Sequence, residues 1–210
     1  MKDLAIIFDM DGTLWDSSEN VALSWNEIIK KETKLNLKLT ALDIQNVMGK
    51  TMFDIADALF PALSLEERRK LIEVCGIYEN EYLREHGADI YEGLEEVFIK
   101  LSKNYPLYIV SNCQSGYIES FLDHYAFRKY IKDIQCFGNN KKLKADNIKL
   151  IMEKNSIKDA CYVGDTQTDY DSAMEAGIDF IYAAYGFGKI NTKVKTINSI
   201  KELPELLEKM

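Results

Sequence analysis

The chain has 210 residues, 47% of them hydrophobic and 29% charged, and a formal net charge of −8. That length exceeds one average domain and falls short of two, and the composition is that of a globular protein with a sizeable core. An acidic long-range field repels nucleic acid and anionic membranes, so neither is an expected partner, and an anionic substrate requires a local positive centre.

Residues 4–8 (LAIIF) predict a short buried strand that runs into the turn Asp9-Met10-Asp11-Gly12-Thr13. Asp16 with Glu19 has capping-box spacing, and Val21, Trp25, Ile28 and Ile29 give the helix that follows an apolar stripe. Thr40 with Asp43, Thr51 with Asp54, and Ser64 with Glu67 repeat the cap spacing. The helix from about Leu65 to Glu85 has Leu71, Val74, Tyr78 and Tyr82 on one predicted face and stops at Gly87. From residue 88 onward helices and strands alternate. Strands are expected at 106–112, 133–137, 160–165 and 178–184. Helices are expected around Leu94–Leu101, Ile118–Tyr125, Ala145–Lys154, Thr168–Ala176 (with Thr168 and Asp171 as a capping box) and from Ser199.

Short apolar strands alternating with helices predict an α/β fold, a Rossmann-like doubly wound parallel sheet. The all-helical stretch interrupts it, giving a core of residues 1–16 and 87–210 with an inserted helical cap at 17–86. The four cysteines are scattered and none forms a C-x-x-C pair, which fits a reducing compartment. The apolar run at the N-terminus is too short for a signal peptide or a membrane span, so the expected location is the cytoplasm. The pattern leaves monomer and homodimer equally open.

In an open parallel sheet, ligands bind beyond the carboxyl ends of the strands. The first strand delivers Asp9, Asp11 and Thr13 to that edge. The strand at 106–112 delivers Ser111 and Asn112, and the strand at 160–165 delivers Asp165 with Asp169 one turn on. Lys141, Lys142 and Lys144 precede the helix between the last two of these strands. Four carboxylates in one crevice repel by roughly 1–4 kcal/mol per pair at moderate effective dielectric. A dication relieves this, and hard oxygen donors with room for water suit Mg²⁺. A phosphate monoester fits the remaining donors. One carboxylate can attack phosphorus, and a second can protonate the leaving oxygen.

These segments resemble the haloacid dehalogenase superfamily of hydrolases, in the branch of phosphoglycolate phosphatase-like members with a helical cap. DMDGTLWDS (9–17) is similar to the first family motif and Ser111-Asn112 to the second. Lys144 in LKADNI (143–148) is similar to the third, and GDTQTDYDSAMEAG (164–177) to the fourth. The resemblance implies a phosphatase of small phosphorylated metabolites with Asp9 as nucleophile and metal ligand. It further implies Asp11 as general acid and base, with its backbone carbonyl on the metal, and Thr13 as the residue that steadies Asp11 and the turn. Ser111 and Lys144 then bind phosphate with Asn112 beside them, and Asp165 and Asp169 complete the Mg²⁺ site.

A sugar phosphomutase of the same superfamily is the alternative, since it shares Asp9 and Asp11. A haloacid dehalogenase is disfavoured because that branch has no acid where Asp11 stands. A phosphometabolite sensor without activity is disfavoured by the intact carboxylate set. Gly49-Lys50-Thr51 lacks the first glycine and the preceding strand of a nucleotide loop. Lys50 is instead a candidate substrate contact from the cap. Cys113 has no histidine placed to activate it and reads as inert.

Overall fold

The structure, a computed structural model, describes residues 4–210. The first apolar run forms β1 (Leu4–Phe8), whose side chains alternate between the two faces of a sheet. Ile6 and Phe8 join one buried cluster with Leu94, Val97 and Phe98. Ala5 and Ile7 join a second with Ile148, Ile151 and Ala173. A strand covered on both faces reads as a continuous apolar run, as LAIIF does. The Phe8 ring meets Phe98 edge-on at 5.7 Å. Truncating such a buried ring costs about 3–5 kcal/mol.

After the turn, β2 (Trp15–Asp16) leads into α1 (Ser18–Glu32). The capping box expected of Asp16 and Glu19 does not form, because the helix starts one residue later, with Ser17 at the N-cap. Asp16 instead accepts hydrogen bonds from the N–H and hydroxyl of Ser18 and from the Gln45 amide. The stripe of Val21, Trp25, Ile28 and Ile29 is buried as expected.

α2 (Ala41–Gln45), α3 (Met52–Leu59) and α4 (Leu65–His86) follow. Their N-caps are Thr40, Thr51 and Ser64, and each hydroxyl accepts from the N–H three residues on. One such cap contributes about 0.5–2 kcal/mol. The buried face of α4 is Leu71, Ile72, Cys75, Glu79 and Leu83, whereas Val74, Tyr78 and Tyr82 are only half-buried. The expected stripe is thus displaced by one position. The cause is that α4 is covered on two sides, by α1 and by the helix at Tyr117–His124.

β3 (Asp89–Ile90) pairs antiparallel with β2, setting Trp15 opposite Ile90 and Asp16 opposite Asp89. This ribbon ties together the two points where the chain enters and leaves the helical stretch. The order then runs α5 (Leu94–Leu101), β4 (Leu107–Ser111), α6 (Tyr117–His124), β5 (Ile131–Cys136), α7 (Phe137–Asn140) and α8 (Lys144–Lys154). It closes with β6 (Asp159–Gly164), α9 (Gln167–Ala176), β7 (Asp179–Ala183), β8 (Lys195–Ile197) and α10 (Leu203–Glu208). The large sheet is parallel throughout, in the order β5-β4-β1-β6-β7-β8. This is the doubly wound α/β architecture the sequence predicts. The chain winds out to β5 on one side of β1 and to β8 on the other, which puts a crevice above β1.

Three local expectations are corrected. The strand expected at 133–137 lies at Ile131–Cys136, and Phe137 opens a short helix. The edge strand β8 was not expected, since only its Ile197 is buried and one apolar residue makes no pattern. At α9 the capping box joins Thr166 to Asp169, not Thr168 to Asp171, because the helix starts at Gln167. Asp171 is exposed and accepts from the Gln167 amide. Among the described residues no helix is long and apolar enough to cross a membrane.

Candidate active site

The ends of β1, β4 and β6 meet in the crevice. Beyond Phe8 the Asp9 N–H still donates to the Val163 carbonyl of β6, at 2.9 Å, which fixes Asp9 beside that strand. The N–H groups of Thr13 and Leu14 fold back on the Met10 carbonyl at 3.1 and 2.8 Å and close the turn. Only glycine fits at position 12. Its φ is +79°, and an added Cβ would stand 2.2 Å from Asp165 Oδ2. β6 ends at Gly164, and the capping box of α9 then turns Asp169 back toward β1. Asp169 Oδ2 accepts from the N–H groups of Asp165 (3.2 Å) and Thr166 (2.9 Å) and from the Thr166 hydroxyl (2.7 Å).

Asp9, Asp165 and Asp169 are buried, and one carboxylate oxygen from each lies within 4.8 Å of the others. Lys144, the first residue of α8, reaches between them. Its Nζ donates to Asp9 Oδ1 at 2.9 Å and to Asp169 Oδ1, and the side chain is 1% exposed. Lys141 and Lys142 stay at the surface, so Lys144 alone of the three lysines enters the cluster.

One ammonium thus faces three carboxylates. Burial, and then the charge of Asp169, push the Asp9 carboxyl up to about 7 although Lys144 pulls it down. Burial and the charges of Asp169 and Asp9 push Asp165 up to about 8, against the Phe187 and Gly188 N–H groups that donate to its Oδ2. Burial alone would lower Lys144, but Asp169 and Asp9 outweigh it and the net shift is upward.

Asp11 turns away from this cluster toward the helical stretch. Its Oδ1 accepts from the hydroxyls of Tyr117 (2.5 Å) and Ser17 (2.7 Å). Burial raises its carboxyl above the ordinary value, and those two hydroxyls pull it partly back. Thr13 was expected to steady Asp11. Its hydroxyl is buried without a hydrogen-bond partner, and Ser17 and Tyr117 hold Asp11 in its place. The Thr13 carbonyl instead anchors the Tyr185 hydroxyl at 2.9 Å, which ties the loop after β7 over the turn.

Ser111 and Asn112, at the end of β4, are buried, and the Asn112 amide donates to the Gly49 carbonyl at 2.9 Å. Together with Asp11 and Tyr117 they line a cavity of ≈ 40 Å³ beneath α1 to α4, which Lys50 and Glu79 also reach. At about 10–15 Å³ per water centre, this is space for a few waters only. Asn112 Oδ1, Thr13 Oγ1 and Asp165 Oδ1 are buried oxygens without a partner. Buried polar atoms are ordinarily paired, so the orphans at Asn112, facing the cavity, and at Asp165, in the carboxylate cluster, point to a ligand.

Apart from Thr13, the expected site residues therefore fall into two groups. Asp9, Asp165, Asp169 and Lys144 form an ionic cluster. Asp11, Ser111 and Asn112 face the cavity, and Thr13 lies under the turn. Sequence reasoning missed Ser17, Tyr117, Glu79 and the N–H pair of Phe187 and Gly188. The glycines flanking Phe187 were an available signal for that pair. A Cβ on Gly186 would fall 2.3 Å from the Gly12 carbonyl and 2.4 Å from Asp165 Cβ. Tyr117 carried no such signal, because it stands 106 residues from Asp11, whereas Ser17 stands only six residues on, at the end of the first motif.

The carboxylate set can hold a divalent cation. Its donors are hard oxygens, its charge is in surplus, and Asp165 Oδ1 is unpartnered. Asp169 is the most engaged of the three, with both oxygens already accepting from protein donors.

Residues 6–183 match the haloacid dehalogenase-like hydrolase family. The chain belongs to this family and is a hydrolase, as its motifs led one to expect. It is similar to a phosphoglycolate phosphatase of Aquifex aeolicus, 26% identical over 97% of this chain and 96% of that one. It is also similar to a 5'-nucleotidase of Pseudomonas aeruginosa, 24% identical over 90% of this chain and 88% of that one. Its fold is shared with a haloacid dehalogenase-like family hydrolase from Streptococcus pneumoniae. There the TM-score is 0.78 at 21% identity, covering 99% of this chain and 100% of that chain.

Proposed function

We propose that this hydrolase is a Mg²⁺-dependent phosphatase that cleaves small phosphorylated metabolites through a phosphorylated Asp9. The observation that carries the reading is the buried cluster in which Lys144 bridges Asp9 and Asp169 beside the unpartnered Asp165 Oδ1. Asp9, Asp165 and Asp169 would hold the ion, with the Asp11 backbone carbonyl. When bound, Mg²⁺ would offset their charge and draw negative charge from the phosphoryl oxygens.

The remaining roles belong to the chain itself. Lys144, Ser111 and Asn112 orient the phosphoryl group. An Asp9 oxygen attacks phosphorus, forming the acyl phosphate as the bond to the leaving oxygen breaks. Asp11, whose carboxyl burial raises above the ordinary value, delivers a proton to that oxygen. Ser17 and Tyr117 orient Asp11 for the transfer. Asp11 then takes a proton from water, which attacks phosphorus, releases phosphate and restores Asp9. Positioned proton transfer of this kind contributes about 10²–10⁴-fold.

Residues 17–86 act as a cap on a core of residues 1–16 and 87–210, with the β2–β3 ribbon as the joint. A cavity of ≈ 40 Å³ is too small for a metabolite, so the cap swings away to admit substrate. Four buried free cysteines support a reducing compartment, the cytoplasm, for a monomer or homodimer. Phosphoglycolate, named for the Aquifex relative, is one candidate substrate.

The test is release of free phosphate from a panel of monoesters with Mg²⁺, with chelator, and with Asp9→Asn. Turnover is expected only in the first case. Activity retained by Asp9→Asn overturns the reading, and an isomerised sugar phosphate without free phosphate would establish a phosphomutase instead.

A further inference from the structure

The cavity beyond Asp11 contains a carboxyl that the proposed mechanism does not use. Glu79 lies in the middle of α4 and is 3% exposed. Glutamate is almost never buried to that degree unless paired. Its Oε2 accepts the Trp25 indole N–H at 2.7 Å, and the Gln114 side chain approaches it. Among the described residues no cation acts on it, and the charge that does is Asp11. Burial first, and then Asp11, push it up to about 8.

A purely structural role does not require this residue type. A glutamine would accept the indole N–H equally well and carry no charge to desolvate. What the carboxyl adds is a strong hydrogen-bonding group in the wall of the cavity that Asp11 also lines. The lining also holds the apolar Val21, Ile44 and Ile55 and the polar Asn112, Gln114 and Tyr117. The one basic residue of the lining, Lys50, is exposed, so its charge is largely screened by water.

Since Asp11 marks the position of the leaving oxygen, the leaving group extends from Asp11 toward Glu79. We infer that Glu79 selects that leaving group by hydrogen bonding to its hydroxyls, so that the substrates are phosphate esters of polyols or sugars and not of hydroxy acids. The inference rests on the phosphatase reading and narrows it. A hydroxyl finds a partner in Glu79 in either protonation state. A leaving group with its own carboxylate, as in phosphoglycolate, would bury that charge in a cavity whose one basic lining residue, Lys50, is exposed. An aliphatic leaving group leaves the Glu79 carboxyl buried without the added partner, a mismatch that discriminates more sharply than a missing methylene.

The experiment compares kcat/KM for glycerol 3-phosphate, propyl phosphate and phosphoglycolate in the wild type, Glu79→Gln and Glu79→Leu, each checked for folding by thermal unfolding. Wild type is expected to prefer glycerol 3-phosphate to each of the others by about tenfold or more. Glu79→Leu removes the preference over propyl phosphate. At about pH 9, where Glu79 is ionised, Glu79→Gln removes the charge and raises phosphoglycolate relative to glycerol 3-phosphate by about tenfold. If Glu79→Leu does not fold, Glu79→Gln and the wild-type ranking decide the matter. A wild-type preference for phosphoglycolate overturns the inference. So do ratios that stay fixed in active variants, which would make Glu79 only the acceptor for Trp25. Failure of the wild type to hydrolyse any monoester is a different result, which removes the phosphatase reading and this inference with it.

Discussion

Replacing Lys144 by methionine keeps an unbranched side chain of similar length and removes the ammonium that bridges Asp9 and Asp169. Three buried carboxylates are then left without a cation of their own. Removing one partner of a buried ion pair costs about 3–5 kcal/mol. Proton uptake sets a second bound. A carboxyl with an ordinary value near 3.8 takes up a proton at pH 7 at about 1.36 kcal/mol per unit, hence about 4 kcal/mol. Asp9, already pushed up to about 7, accepts its proton at little further cost, which places the loss near the lower bound, about 3 kcal/mol. Urea unfolding in chelator, followed by tryptophan fluorescence, measures it at pH 7 and at pH 5. The loss should shrink at the lower pH, where carboxylates are more readily neutralised. A loss under about 1 kcal/mol at pH 7, the range of surface ion pairs, would refute the buried bridge.

Metal-free stability should depend on pH in a defined direction. Asp9 and Asp165 have folded values of about 7 and about 8 against an ordinary value of 3.8. The folded state therefore holds more protons, and the stability these groups contribute is whole below about pH 4 and lost as pH rises through 7 and 8. In chelator Tm should fall between pH 5 and 8, and added Mg²⁺ should raise Tm more at pH 8 than at pH 5; a flat profile contradicts this. Tyr117→Phe removes a hydrogen bond that favours the ionised form of Asp11. The alkaline limb of kcat/KM against pH should then move upward, and a downward shift contradicts the assignment of Asp11 as the acid. Gly12→Ala forces a Cβ into Asp165 at a left-handed φ. It should lower stability by at least about 1–3 kcal/mol and remove the Mg²⁺-induced rise in Tm, whereas normal Mg²⁺ stabilisation would show the turn to be slack.

The central strands β1, β4 and β6 were legible because each is a short apolar run closed by a polar strand end, and the caps were legible where a hydroxyl stands three residues before an acid. Cap spacing failed at Asp16, where the N-cap lies one residue on at Ser17, and at Thr168, where it lies two residues back at Thr166. Sequence spacing fixes which residues can pair but not which of two adjacent frames the chain adopts. The two-residue ribbon of Trp15–Asp16 with Asp89–Ile90 left no pattern, since its pairing is decided by the closure of the excursion over residues 17–88. At the site, the carboxylates and Lys144 were readable from position at strand and helix ends. The groups that hold them, Tyr117 on Asp11 and the Phe187 and Gly188 N–H pair on Asp165, come from distant segments and become visible only in three dimensions. Glu79 was hidden for a related reason, because its helix was expected to bury the neighbouring face.

The most direct measurement is mass spectrometry of the protein quenched in acid during turnover of a phosphate monoester with Mg²⁺. The Asp9 peptide should carry one phosphoryl group, absent with chelator and absent in Asp9→Asn. Steady phosphate release with an unmodified Asp9 peptide, or a phosphoryl group found on Ser111 instead, would contradict the account.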